Sequence, residues 1–208
     1  MQKLHTVIVP GVGGSEKRHW QSWLQSQLLY SSRVEQQHWN DPILSRWVKQ
    51  FVQHIQNIAA PIQIVAHSFG CLTTIAALHQ HPELNQKITG ILLVAPANPR
   101  RFSTTGFAQD SGQDFANQFI AMHLDIPSLL IYSENDPWHD VKSTLHYAKA
   151  WGSHCISQGT AGHINVASGF GVWPQVFDYL KQLEYLQKKF QAASKDEIPS
   201  MQPKYLAY

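Results

Sequence analysis

The stretch from Ile62 to Leu78 constrains the fold most. A short apolar run (Ile62, Ile64, Val65, Ala66) meets His67-Ser68-Phe69-Gly70, and a second run with helix-compatible spacing (Leu72, Ile75, Ala76, Leu78) follows at once. A strand that passes into a helix without a loop must turn sharply at Ser68, so the residues two positions away must be small. Ala66 and Gly70 meet that demand. The turn holds a serine hydroxyl at the C-terminal edge of a sheet. It also sets the Phe69 amide in the first turn of a helix, where backbone N–H groups favour negative charge. A small-x-Ser-x-Gly pentapeptide is common by itself, so its meaning depends on the flanking elements and the groups downstream.

Those elements alternate from end to end. Residues Thr6–Val9 read as a buried strand, followed by the glycine-rich turn Pro10-Gly11-Val12-Gly13-Gly14-Ser15. The turn lacks the glycine spacing and the Gly-Lys-Ser/Thr of a phosphate loop, so close approach of its backbone to another group is the better reading. Helical spacing predicts a helix over Glu16–Tyr30, with Trp20, Trp23, Leu24 and Leu28 recurring along it. A short strand is expected over Arg33–His38. A helix is expected from Asn40-Asp41-Pro42 to about Ile58, with Asp41 as cap and Pro42 in the first turn. His81-Pro82 should stop the helix after Ser68. The near-continuous apolar run Ile88–Ala95 reads as a central parallel strand. Strands at Ser128–Ser133 and His154–Ser157, and helices over Val141–Trp151 and from Trp173 to about Ala193, complete the pattern.

Strands alternating with helices imply an α/β chain with a parallel sheet and helices on both faces. Right-handed crossovers put every C-terminal strand edge on one side, where such sheets bind ligands. Neither an internal repeat nor a linker is visible, so residues 1–190 are read as one domain. The segment 96–124 breaks the rhythm with prolines, Arg100-Arg101 and four phenylalanines, and is read equally as a packed helical excursion or as a lid. Residues 191–208 are read as a loose polar tail.

Composition narrows the function. A formal charge of +2 and scattered Lys and Arg argue against nucleic acid. No apolar stretch approaches a membrane span, and the N-terminus lacks the apolar core of a signal peptide, so a cytoplasmic protein is expected. Cys71 and Cys155 do not form a disulfide framework. His79-Gln80-His81 reads as a helix end, and no metal site is expected.

Three groups arrive at the C-terminal sheet edge in the order Ser68, Asp136, His163, which is the Ser…Asp/Glu…His order of nucleophile-elbow enzymes. A serine hydroxyl needs a base within hydrogen-bond reach. His163 follows a strand in a loop beside Gly162 and suits that task better than His139 or His154. Asp136, three residues past a strand, is favoured over Glu134 and Asp140 as the carboxylate that would orient it. His67 is read as structural. An oxyanion hole needs two N–H donors. The Phe69 amide is one, and Val12 is chosen over Gly11 as the other.

The motifs Ala66-His67-Ser68-Phe69-Gly70-Cys71, Asn135-Asp136-Pro137 and Ala161-Gly162-His163 resemble those of the small α/β-hydrolases of the YdeN and retinoblastoma-binding-protein-nine type. The Pro10–Gly14 loop followed by Trp20, and Asn40-Asp41-Pro42, fit the same likeness, which spans about Lys3 to Gln187. The resemblance implies a compact α/β-hydrolase fold with a six-stranded parallel sheet. It implies serine hydrolysis of small esters or amides without a cofactor, through Ser68, Asp136 and His163. Two positions depart from the family form: Ala66 stands where Gly is usual, and Pro10-Gly11 replaces His-Gly. The function expected is hydrolysis of small carboxylic esters through an acyl-enzyme. Amide or peptide cleavage, or a protein-binding module with residual activity, are the alternatives. Trp20, Phe102, Phe107 and Trp138 are the expected pocket walls.

Overall fold

A computed structural model describes residues 3–102 and 114–196. Among them, six strands form one all-parallel sheet: β1 (His5–Val9), β2 (Ser31–Arg33), β3 (Ile62–His67), β4 (Ile88–Val94), β5 (Ser128–Tyr132) and β6 (His154–Ser157), in the order β2-β1-β3-β4-β5-β6. The helices are α1 (Trp20–Gln27), α2 (Leu44–Gln56), α3 (Phe69–Gln80), α4 (Phe115–Ala121), α5 (Val141–Trp151) and α6 (Val176–Asp196).

The period-2 alternation of each strand divides the core between two faces. Val7, Val9, Ile64, Ala66, Ile91, Leu93 and Leu130 pack on one face with Trp47, Phe51, Leu72, Phe119 and Trp151 from α2 to α5. Ile8, Val65, Leu92, Val94, Leu129 and Ile131 point the other way, towards Trp20 and Leu24 of α1 and Val176, Tyr179 and Leu183 of α6. The central strands β3 and β4 are buried almost throughout, in keeping with their near-continuous apolar runs.

Several boundaries differ from the sequence expectations, among them the start of the last helix, at Val176 instead of Trp173, and the end of the first, at Gln27 instead of Tyr30. The first helix begins at Trp20, not Glu16, because His19 adopts extended backbone and caps it, its side chain accepting the Gln21 N–H. The second strand is Ser31–Arg33, earlier than Arg33–His38. Its polar Ser-Ser-Arg pairs with Thr6, Val7 and Ile8 at the sheet edge, and the chain leaves once Val34 N–H has bonded to the Ile8 carbonyl. The second helix begins at Leu44, with Ile43 as an N-cap that makes no side-chain bond. Asp41 and Pro42 therefore lie in the approach and neither caps nor opens it. Of the 96–124 segment, a short 3₁₀ turn at Pro99–Arg101 and α4 are described, and Phe107 lies outside the described residues.

Candidate functional site

β3 passes into α3 through Ser68, whose φ of 54° and ψ of −122° lie outside the regions a side chain normally tolerates. Such a conformation costs about 1–3 kcal/mol and survives only where the surroundings fix it. Here they do. Ser68 N–H donates to the Val94 carbonyl, and the Ser68 carbonyl accepts from the amides of Cys71 and Ala97. Gly70 shows why the elbow needs a small residue: a Cβ there would lie 2.3 Å from the Val9 carbonyl oxygen and 2.6 Å from that of Pro10. Gly11 shows the close approach expected of the glycine-rich turn, since a Cβ on it would come within 2.7 Å of Ser68 Cβ.

The loops after β5 and β6 bring the other two groups to Ser68. His163 Nε2 is 2.8 Å from Ser68 Oγ, and His163 Nδ1 is 2.7 Å from Asp136 Oδ2. The side chains of His163 and Asp136 are each 4% exposed, so the line of bonds is shielded from water. Asp136 Oδ1 also accepts the Trp138 N–H at 2.9 Å, which fixes the plane of the carboxylate. The rival acids have other work. Asp140 caps α5 by accepting from Ser143 N–H, and Glu134 accepts from the Ser157 hydroxyl. Of the rival histidines, His139 is buried against the Pro96 carbonyl and His154 opens β6 at the surface.

Several supporting contacts were not legible in the sequence. Asn135 Oδ1 accepts from both the Ser133 hydroxyl and the Gly162 N–H, and Ser133 Oγ accepts the Ala161 N–H. Together they tie the Asp136 loop to the His163 loop. His67 Nε2–H donates to the His163 carbonyl at 3.0 Å, in keeping with its structural reading. Gln21 donates to the carbonyls of Val9 and Val65, stitching α1 onto the ends of two strands. Asn135 stands next to the acid in sequence, and that adjacency was the one available clue.

The pocket expectations divide. Trp138 borders two clefts beside Ser68 and its ring centroid is 4.3 Å from that of His163. Trp20 is not a pocket wall. It is fully buried, packs edge-on against Trp173 and His67, and donates its indole N–H to the Ile164 carbonyl, so it braces the His163 loop from below. Phe102 lines neither cleft and packs among Phe69, Phe115 and Phe119. Val12 is exposed and lines both clefts, while Phe69 opens α3 with its ring in the core. The larger cleft, about 330 Å³, also takes in His19, His67 and His163, and the smaller, about 210 Å³, takes in Ala97, Asn98 and Arg101.

Burial makes this site electrostatically quiet. Desolvation, with lesser contributions from Arg33 and His163, pulls the His19 pKa down to about 4. Desolvation also holds His67 well below its ordinary value of 6.5. Because both folded-state values lie below the unfolded one, the unfolded chain takes up protons first as pH falls. Stability is thus complete above about pH 6.5 and is lost on acidification, the His19 part between pH 6.5 and about 4. A midpoint of thermal unfolding that drops steadily across that window is expected, and a flat profile from pH 7 to 4 would contradict it.

Among the described residues, no group of three or more His, Cys, Asp or Glu could hold a metal ion, and no helix is long and apolar enough to cross a membrane. Chemically, a serine bonded to an imidazole that is itself bonded to a carboxylate can transfer an acyl group.

The family model described as serine hydrolase matches residues 6–182. No curated protein sequence matches the chain. Among solved structures, a protein described as a YdeN-like hydrolase from Pectobacterium atrosepticum is 32% identical, with 91% of this chain and 92% of that one covered and a TM-score of 0.72. The ydeN gene product of B. subtilis shares the fold at 19% identity, covering 88% of this chain and 100% of that one, with a TM-score of 0.69. Est1E from Butyrivibrio proteoclasticus, solved with ferulic acid bound, shares it at 14% identity, 94% and 90% coverage and a TM-score of 0.59. The chain belongs to the serine hydrolase family and has the α/β-hydrolase fold of its YdeN-like members.

Proposed function

We propose that this serine hydrolase cleaves small carboxylic esters through an acyl-enzyme on Ser68. The observation that carries the reading is the shielded line of hydrogen bonds from Ser68 Oγ through His163 to Asp136, at 2.8 Å and 2.7 Å. His163 takes the serine proton as Oγ attacks the ester carbonyl, then gives that proton to the departing alcohol. Asp136 holds the hydrogen on His163 Nδ1 and stabilises the imidazolium. The amides of Phe69 and Val12 are the proposed donors to the oxyanion, with Gly11 keeping the loop of Val12 against the elbow. Water, activated by the same histidine, then releases the acid. Residues 1–190 act as one unit in this reading, and the 96–124 segment forms the wall of the smaller cleft through Ala97, Asn98 and Arg101.

The modest cleft volumes and the Trp138 wall favour short acyl chains. Turnover of p-nitrophenyl acetate and butyrate tests the reading. Hydrolysis of both, with an initial release of about one p-nitrophenol per protein wherever deacylation is slower than acylation, is the expected result. A folded protein that turns over neither would contradict it.

A further inference from the structure

The two clefts beside Ser68 share Val12 and Trp138 as walls but differ in one chemical respect: His163 lines the larger and not the smaller. On the reading above, the departing alcohol takes its proton from His163 Nε2. The alcohol portion of the substrate therefore belongs in the larger cleft, and the acyl portion in the smaller.

His19 lines that larger cleft too, although only 5% of it is exposed. Its Nδ1 accepts the Gln21 backbone N–H at 3.1 Å. A ring nitrogen that accepts carries no hydrogen, so in the neutral ring the hydrogen is on Nε2. Nε2 has no hydrogen-bond partner among the described residues, and it is not among the buried polar atoms that lack one. The small exposed part of this residue thus includes an oriented N–H donor in the cleft. The low His19 pKa keeps the donor neutral at ordinary pH. The donor also stands on rigid ground, since the ring packs edge-on against His67 at 4.9 Å and caps α1.

We propose that His19 recognises the alcohol portion of the substrate. Its Nε2–H donates to an ether or hydroxyl oxygen there, so that esters of oxygen-bearing alcohols are preferred to esters of plain alkyl alcohols. A site built around a hydrogen-bond donor discriminates against an analogue that lacks the acceptor, because the donor is then left without a partner.

The test compares two esters that differ by one atom, n-butyl butyrate and 2-methoxyethyl butyrate, on the wild type and on His19→Asn. Asparagine is a favoured N-cap, so its Oδ1 keeps the bond to Gln21, while its shorter side chain holds its NH₂ back from the place of the imidazole Nε2. The ether oxygen makes its alcohol a better leaving group in both proteins, so comparing the proteins isolates His19. The methoxyethyl-to-butyl ratio of kcat/KM is expected to be about tenfold higher in the wild type than in His19→Asn. Equal ratios in the two proteins, with thermal melting showing both folded, would overturn the assignment while leaving ester hydrolysis intact. Failure of the wild type to hydrolyse either ester would instead overturn the ester-cleavage reading, and the role of His19 with it.

Discussion

Ser68→Ala is expected to lower ester turnover about a million-fold, the loss seen when a serine hydrolase is deprived of its nucleophile. The size of the effect follows from the lack of a substitute among the described residues lining the larger cleft. The Ser15 hydroxyl is occupied, donating to Gln21 Oε1 at 2.6 Å. The Cys71 thiol is fully buried one turn into α3, where desolvation raises its pKa and keeps it from forming a thiolate. Water attacking directly, helped by His163 and the oxyanion donors, would account for the residual rate. The substitution removes a single oxygen from a side chain whose backbone is held by Val94, Cys71 and Ala97, so thermal stability should stay near that of the wild type. The check is kcat alongside a thermal melt. Activity within about a hundredfold of the wild type in a folded Ser68→Ala protein would show that another group attacks.

Asp136→Asn should cost about ten-thousand-fold in kcat with the fold intact. The reason lies in the two bonds that the carboxylate makes. Oδ1 accepts the Trp138 N–H, and Oδ2 faces His163 Nδ1. An asparagine keeps its carbonyl oxygen on Trp138 and must then turn its NH₂ towards His163. Two donors cannot face each other, so His163 moves its hydrogen to Nε2. That nitrogen can no longer take the Ser68 proton. Asp140→Asn is the matched comparison. Asp140 caps α5, where asparagine serves equally well, so activity near that of the wild type is expected. If Asp140→Asn were the inactive variant and Asp136→Asn the active one, the assignment of the acid would be reversed.

The order of the elements, and the convergence of Ser68, Asp136 and His163 at one sheet edge, could be read from the sequence because each rests on local chemistry. The near-continuous apolar runs at Ile62–Ala66 and Ile88–Val94 mark strands covered on both faces. The turn from β3 into α3 needs Ala66 and Gly70, and Gly70 has no room for a side chain beneath the end of β1. Asp136 and His163 stand in short loops directly after strands, where chain order limits the choices. What was not legible depends on tertiary contact. Ser31–Arg33 is polar and pairs only on one side, so no periodicity announces it. Asp41 and Pro42 look like a helix start, but the helix waits until Leu44 can enter the core. Trp20 has the composition of a pocket wall and the location of a brace, a difference set by Trp173 and Ile164, more than 140 positions away. The cleft donor at His19 depends on which ring nitrogen meets Gln21, and that too appears only in three dimensions.

The central claim is that Ser68 is an activated nucleophile. A fluorophosphonate probe tests it most directly, because it reacts with a serine only where a base has been brought to the hydroxyl. The measurement is labelling of the intact protein, with the modified residue located by peptide mass spectrometry, in the wild type, Ser68→Ala and His163→Ala. One adduct per chain is expected, on Ser68, absent from Ser68→Ala and sharply reduced in His163→Ala. A folded wild type that does not label, or an adduct that persists on another residue in Ser68→Ala, would contradict it.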